Sequence, residues 1–276
     1  MSKALMKFKP GFVPQNPGFS EKFAYVDQSC RGRSGSLNPA WEEFQALGVE
    51  GYYEINASPR SETAEETMNR LFNPAYSEDV SDLQSKFRKM KELGKKGSTT
   101  PYNLYCDTTA FVHVKKYMRG PDEGKDIPKD RQFFYATRGP DDNIAKWKSR
   151  TDRDPCKGEN GKDLDAFTHE PSNTLILCPS AFEKTPSLLC EETMKQERGT
   201  SIDHMMTIGS ILYHELTHLR LGTEDWAYGF PDCASLAQRH PQKAVDNADS
   251  MMYFAMAMLY RKNAWYTGVA RSLPRG

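Results

Sequence analysis

Residues 214–229 read His-Glu-Leu-Thr-His-Leu-Arg-Leu-Gly-Thr-Glu-Asp-Trp-Ala-Tyr-Gly, and this span holds the residue types that metal-assisted hydrolysis needs. His214 and His218 are four residues apart, so on a helix they share one face, one turn apart. Two imidazoles so placed can hold one Zn²⁺ at about 2.0–2.1 Å each. Glu215 leans toward the same face, where its carboxylate can take a proton from a water that the ion polarises. A third protein ligand is still needed, and Asp225 and Glu224 are the nearest acids. Glu191, Glu192 and Glu197 precede the motif and no glutamate follows Glu224, which argues against a glutamate ligand from a later helix. No histidine stands at the offset of a three-histidine site. Asp225 is therefore the expected ligand, and Tyr228 supplies a hydroxyl nearby.

The spacing demands a helix, and the residues support one. Thr200, Ser201 and Asp203 are N-cap candidates. Between Asp203 and Leu219 there is no proline and one glycine, Gly209. Met206, Ile208, Ile211, Leu212 and Leu219 supply an apolar face. Gly222 suits a left-handed stop, after which the chain can double back and bring an acid onto the metal.

This segment resembles the deuterolysin (aspzincin) family of zinc endopeptidases, which includes the fungal peptidyl-lysine metalloendopeptidases. The resemblance rests on His214, Glu215, His218, Gly222, Thr223, Asp225, Tyr228 and Gly229, then on Asn247-Ala248-Asp249 with Tyr253-Phe254-Ala255. A weaker match covers residues 175–182. It implies that His214, His218 and Asp225 hold zinc, that Glu215 activates the water, and that Tyr228 donates a hydrogen bond to the oxyanion. It also implies that Asp249 faces the substrate residue after the scissile bond, favouring Lys or Arg. The other reading of Asp249 is that it orders the surroundings of the metal. By the same analogy the cysteines pair as Cys30–Cys106, Cys156–Cys178 and Cys190–Cys233. The sequence departs from the family in a short gap between His218 and Asp225 and in a long, charged stretch at 115–173.

Formal net charge is zero, with 37 basic and 37 acidic residues, so nothing points to nucleic acid or an anionic membrane. The most apolar run, residues 253–260, is too short to cross a bilayer. The six cysteines contain no C-x-x-C pair and suit a disulfide framework. The N-terminus has no apolar leader region, so the chain is either intracellular or a mature secreted form. The cysteines and the resemblance favour the extracellular option. A glycosylation triplet, Asn56-Ala57-Ser58, is followed by Pro59, which disfavours its use.

Around the motif the expected organisation is an extended arm at 1–28 and one metallopeptidase domain at 29–276. That domain would be helical over 38–94, rich in strand and loop over 100–190, and helical again over 200–265. Helices are expected from the cap Asn38 with Pro39 in the first turn, over 61–72, and from Ser77 or Ser81 to Leu93. Strands are expected at 104–114, 132–137 and 175–178, and a long helix at 241–262 with a Met-rich buried stripe. His113 and His169 read as hydrogen-bonded strand residues rather than ligands. The fold class is α+β and zincin-like. The expected function is that of a monomeric zinc-dependent endopeptidase acting on polypeptides. The alternative is a secreted zinc-binding or host-interaction protein of the same fold with little turnover.

Overall fold

The structure, a computed structural model, describes residues 22–74, 77–95, 100–118, 120–128, 132–137, 146–148, 154–158, 160–189 and 196–273. The fold is α+β, as expected. The elements in chain order are β1 (Phe23–Val26), α1 (Ser34–Asn56), α2 (Glu62–Leu71), α3 (Ser77–Leu93), β2 (Thr100–Tyr105), β3 (Phe111–Val114) and β4 (Phe133–Ala136). They continue as β5 (Lys146–Lys148), β6 (Ala166–His169), β7 (Thr174–Leu177), α4 (Ile208–Leu221), α5 (Phe230–Arg239), α6 (Pro241–Val245) and α7 (Ala248–Leu259). No described helix is long and apolar enough to cross a membrane.

The main sheet has the order β1-β2-β7-β6. β1, β2 and β7 run parallel, and the edge strand β6 is antiparallel to β7. β7 is the sequence Thr-Leu-Ile-Leu, buried throughout. Its side chains alternate between faces: Leu175 and Leu177 join the main core, while Ile176 joins a second cluster with Tyr105, Phe111 and Phe134. A continuous apolar run is what a strand covered on both faces requires. The second sheet, β3-β4-β5, is antiparallel.

The main core lies between the sheet and a helical layer of α1, α3, α4 and α7. Trp41, Phe44 and Leu47 of α1 are spaced to line one face and bury against Tyr213 of α4, Phe87 of α3 and the Met-rich stripe of α7. α1 and α4 approach so closely that a Cβ on Gly209 would lie 2.9 Å from the Ala40 carbonyl oxygen and 2.8 Å from Glu43 Cβ. Only glycine fits there.

Several expectations need correction. The strand expected over 104–114 is two strands in different sheets. Asp107 breaks it by accepting from the Thr109 N–H at 2.8 Å, and Phe111 N–H closes a turn on Thr108. α1 begins one turn before Asn38, so Asn38 is not a cap and Pro39 lies inside the helix. Phe23–Val26, assigned to the arm, is strand β1; residues 1–21 of the arm lie outside the described residues. The helix expected over 241–262 is broken between α6 and α7 at Asp246-Asn247, where Asn247 turns to another task described below. α2 and α3 match expectation, with Ser61 capping α2 by accepting from the Ala64 N–H at 3.2 Å.

Two disulfides close the C-terminal ends of parallel strands: Cys30–Cys106 after β1 and β2, and Cys156–Cys178 after β7. Both are the expected pairs. The third is not formed. Cys233 is a buried free thiol, and Cys190 lies outside the described residues. The Cys233 sulfur is occupied instead, accepting from the Asn247 side-chain amide at 3.3 Å and facing the Ala227 carbonyl at 3.7 Å.

Candidate metal centre

α4 carries the motif, and its start is set by packing more than by the nearest polar residues. Thr200, Ser201 and Asp203 do not cap it. Ser201 caps a short 3-10 turn, Ile202–Met205. The N-cap of α4 is Thr207, in a reciprocal capping box with Ser210. At the other end Gly222 adopts φ +68° and its N–H bonds to the His218 carbonyl, the stop that its position implied.

Three ligand atoms converge beyond the last turns of α4. His214 Nε2 and His218 Nε2 are 3.1 Å apart, and Asp225 Oδ1 lies 3.2 Å from the first and 3.3 Å from the second. Among the described residues these three form the group able to hold a metal ion. The tautomers of both rings follow from their partners. His218 Nδ1 faces the Thr223 carbonyl oxygen at 2.6 Å, and His214 Nδ1 faces Asp249 Oδ1 at 2.7 Å. Both partners are acceptors, so both Nδ1 atoms must carry the proton and both neutral rings present an Nε2 lone pair. Two lone pairs and a carboxylate oxygen crowded into a triangle repel unless a cation sits among them. A tetrahedral ion with bonds of about 2.0–2.1 Å has ligand–ligand edges of about 3.3–3.4 Å, close to the observed triangle. Zinc therefore fits the donor set in both chemistry and size.

Protons can take the place of that cation, the rings then donating from Nε2 to the carboxylate. Burial pushes the Asp225 carboxyl up, but its hydrogen bonds from His214 and His218 outweigh that and hold it far below the usual carboxylate range. Burial likewise pushes His214 down, and its bonds to Asp225 and Asp249 reverse the direction, leaving it well above the ordinary imidazole value. Glu215 is 8 % exposed. Burial raises its carboxyl, the neighbouring imidazoles and a hydrogen bond from Thr168 of β6 oppose the rise, and the net direction is upward. Tyr228 is 62 % exposed as a residue, but its phenolic end sits beside Asp225. Desolvation and that carboxylate keep its proton firmly on.

The loop that delivers Asp225 and Tyr228 is laid onto the break between α6 and α7. Glu224 N–H bonds to the Asp246 carbonyl and Ala248 N–H to the Glu224 carbonyl. Asn247 accepts from the Ala227 N–H at 3.0 Å and donates to the Ala227 carbonyl at 3.2 Å. Asp249 Oδ2 accepts from the Gly229 N–H at 2.7 Å. This is why one long helix was impossible: Asn247 leaves the helix to act as a template for the ligand loop. Asp249, 6 % exposed, spends one oxygen on His214 and the other on Gly229.

Each expected site residue can thus be placed. His214, Glu215, His218, Asp225 and Tyr228 come together, and Asp249 stands behind His214. Glu224 is an exposed residue whose backbone pairs with Asn247. His113 stacks on Phe134, and His169 hydrogen-bonds to Ser172 at 2.7 Å. Sequence reasoning missed Thr168, Thr217 and Asp203. Thr217 hydrogen-bonds to the Thr223 hydroxyl at 2.8 Å, which steadies the carbonyl that His218 uses. No periodicity or spacing marks such residues, because each acts across a gap in the chain.

A histidine pair one turn apart, an adjacent glutamate and an aspartate from the following loop form a group that could hold a metal ion, on an HExxH motif in an α+β fold. Residues 136–256 match the family model Aspzincin_M35, described as lysine-specific metallo-endopeptidase. Over that span the chain carries the aspzincin pattern, and the resemblance borne by its motifs holds. It is 47 % identical over 49 residues to a peptidyl-Lys metalloendopeptidase of Pleurotus ostreatus, covering 17 % of this chain and 29 % of that protein. It is 28 % identical over 97 residues to the neutral protease 2 homolog MEP3 of Coccidioides posadasii, covering 34 % and 23 %. An extracellular protease of Aeromonas hydrophila is 46 % identical over 46 residues, covering 16 % and 13 %. The matched stretches thus span less than a third of each of these relatives. Among solved structures, a zinc peptidase from Grifola frondosa aligns with 82 % of this chain and 95 % of its own, at 17 % identity and a TM-score of 0.48.

Proposed function

We propose that this chain is a zinc-dependent endopeptidase that hydrolyses polypeptides outside the cell. The carrying observation is the triangle of His214 Nε2, His218 Nε2 and Asp225 Oδ1, with both Nδ1 protons already committed to acceptors. A zinc ion held there would polarise a water and the substrate carbonyl. Glu215 Oε atoms take the proton from that water and later deliver it to the leaving amine. Thr168 orients the Glu215 carboxylate from the edge strand. The Tyr228 phenol, whose proton is held on, donates to the oxygen that gains charge at the attacked carbon. Asp249 keeps the His214 ring in the tautomer that leaves Nε2 free. The names of the relatives and the paired cysteines support the extracellular setting. A monomer suffices, since every group in this scheme comes from one chain.

Preference for basic residues next to the scissile bond is supported by the names of the relatives and of the family. The acid that the resemblance assigns to it, Asp249, has both oxygens on internal donors, so we assign Asp249 to holding His214 and Gly229.

The test is metal analysis combined with digestion of a histone, with and without chelator, by wild type and Glu215→Gln. We expect one zinc per chain in both proteins and cleavage abolished by chelator. Turnover in Glu215→Gln should fall by about 10²–10⁴-fold, the usual contribution of a positioned acid–base group. Zinc binding without cleavage would replace this reading with that of a zinc-binding protein of the same fold. Mapping the cut sites decides the basic preference.

A further inference from the structure

The start of α5 sits directly after Tyr228, and its first two N–H groups are taken by two different carboxylates. Gly229 gives its N–H to Asp249 Oδ2 at 2.7 Å, and Phe230 gives its N–H to Asp203 Oδ1 at 2.8 Å. Gly229 has φ +78°, a backbone conformation that glycine adopts without penalty. Gly229 is the N-cap of α5 and has no side chain to cap with. The unsatisfied N–H groups of that helix end are met from elsewhere in the fold.

Asp203 is half-buried and well braced. Its other oxygen faces the Ser201 hydroxyl at 3.1 Å, and the buried Tyr253 of α7 hydrogen-bonds to the same carboxylate. The turn that carries it is tied down, with Ile202 N–H bonded to the Gly268 carbonyl and Ser201 bridged to Val269. Asp203 touches neither the metal ligands nor Glu215 in any hydrogen bond of the described residues. Its bond to the backbone two residues past Tyr228 leads into the site.

We propose that Asp203 is a positioning residue: it pins the backbone just beyond Tyr228 so that the phenol stays beside Asp225. Asn247 holds Ala227 and Asp249 holds Gly229, so the residues on both sides of Tyr228 are anchored, and Asp203 adds a third anchor at Phe230. Loss of that anchor lets α5 pull Tyr228 away. A displacement of about 1 Å in a catalytic group costs on the order of 10²-fold in rate. This rests on the endopeptidase reading above.

The experiment is a double-mutant cycle with Tyr228→Phe, read as kcat and KM on one peptide and as zinc affinity by competition with a chromophoric chelator. Asp203→Ala should lower kcat by about 10–100-fold, the range seen when groups that orient a site are removed. KM and zinc affinity should stay near wild type. In the Tyr228→Phe background the same change should cost less than about 3-fold, because the hydroxyl being positioned is gone. Asp203→Asn keeps an oxygen for Phe230 N–H and should recover most of the rate. Tyr253→Phe leaves the carboxylate in place and removes one donor that aligns it; it should give a smaller loss of the same kind, and it carries the cycle should Asp203→Ala fail to fold. Equal losses in the two backgrounds would show a general structural role and overturn the proposal, as would zinc loss from Asp203→Ala. An inactive wild type would sink the endopeptidase reading and this proposal with it, whereas additive losses in an active enzyme sink this proposal alone.

Discussion

At its N-terminal end α4 is gripped by α1. Gly209 lies against the Ala40 carbonyl, and the buried Glu43 carboxylate accepts from the Thr207 hydroxyl at 2.7 Å, from the Tyr260 hydroxyl and from the Leu188 N–H at 3.3 Å. Two turns later the same helix meets loops, and His214 and His218 pair with Asp249, Asp225 and the Thr223 carbonyl instead of with a core. Both ends contain a buried acid on α-helical neighbours: Glu43 behind the start, Asp249 behind the ligands. Glu43 organises the cap of the helix, while Asp249 organises the ring of a ligand. One helix is thus anchored at one end and chemically presented at the other, and lesions at the two ends should separate into losses of stability and losses of metal chemistry.

The largest expected effect lies at the presenting end. Asp225→Ala removes one of the three proposed ligands and should lower zinc affinity by at least about 100-fold, more than the 10–100-fold typical of groups that only orient a ligand. Glu224→Ala should bind zinc as wild type does. Thermal unfolding of the metal-free Glu224→Ala protein should match wild type, because Glu224 is an exposed loop residue. Competition with a chelator checks the first claim and calorimetry the second; an Asp225→Ala protein that keeps its zinc would dissolve the distinction between the ends.

Next is Gly209→Ala at the anchored end. The new Cβ meets Ala40 O at 2.9 Å and Glu43 Oε2 at 2.6 Å, neither at the tip of a free side chain. Forcing α1 and α4 apart should cost about 1–3 kcal/mol, as overpacking commonly does, visible as a lower denaturation midpoint. The residual folded protein should hold zinc normally.

A finer probe is Glu43 itself. Burial raises its carboxyl above the ordinary value of 4.5, and hydrogen bonds from Tyr260, Thr207 and Leu188 only partly oppose this. A raised acid binds more protons folded than unfolded, so stability falls with rising pH across the window that opens near 4.5 and closes at the folded value. Glu43→Gln removes that slope, and the Thr207 and Tyr260 hydroxyls can turn to accept from the new amide. The variant should therefore gain on wild type as pH increases from about 4 to neutrality in denaturant titrations. A constant difference across that range would mean that Glu43 does not titrate there.

The contrast between the ends also explains what could be read in the chain beforehand. His214, Glu215 and His218 were legible because their geometry is local: four residues on a helix suffice. Asp225 followed because few acids remained, and Tyr228 because a short motif carried it. The buried Leu175-Ile176-Leu177 run announced β7 by composition alone. The start of α4 was not legible. Thr200, Ser201, Asp203 and Thr207 are all competent caps, and the choice among them was made by Glu43, 164 residues away from Thr207. The break after α6 was hidden for the same reason, since Asn247 can continue a helix and leaves it only because Ala227 needs both of its amide groups. Thr168 carried no signal and Asp203 only that of a cap, because hydrogen bonds to a distant backbone or carboxylate leave no period in the sequence. Cys233 shows the reverse error: family analogy paired it, while the structure buries its sulfur against the Asn247 amide.

The smallest expected effect comes from Tyr213, which stands between the two ends. Its ring packs 5.9 Å from that of Phe44, and its hydroxyl is buried without a hydrogen-bond partner among the described residues. Burial accordingly pushes its proton affinity far up. An unmet buried hydroxyl costs about 1–3 kcal/mol in desolvation that no partner offsets. Tyr213→Phe removes the oxygen and keeps the ring, so stability should be unchanged or up by about 1 kcal/mol at most, part of the gain being lost to the small void left behind. His214 is the next residue but faces Asp225 and Asp249, so zinc affinity should not move. A destabilisation above about 1 kcal/mol would mean that the hydroxyl holds an internal water with partners of its own, and that the anchored end of α4 is a hydrated interior rather than a dry one.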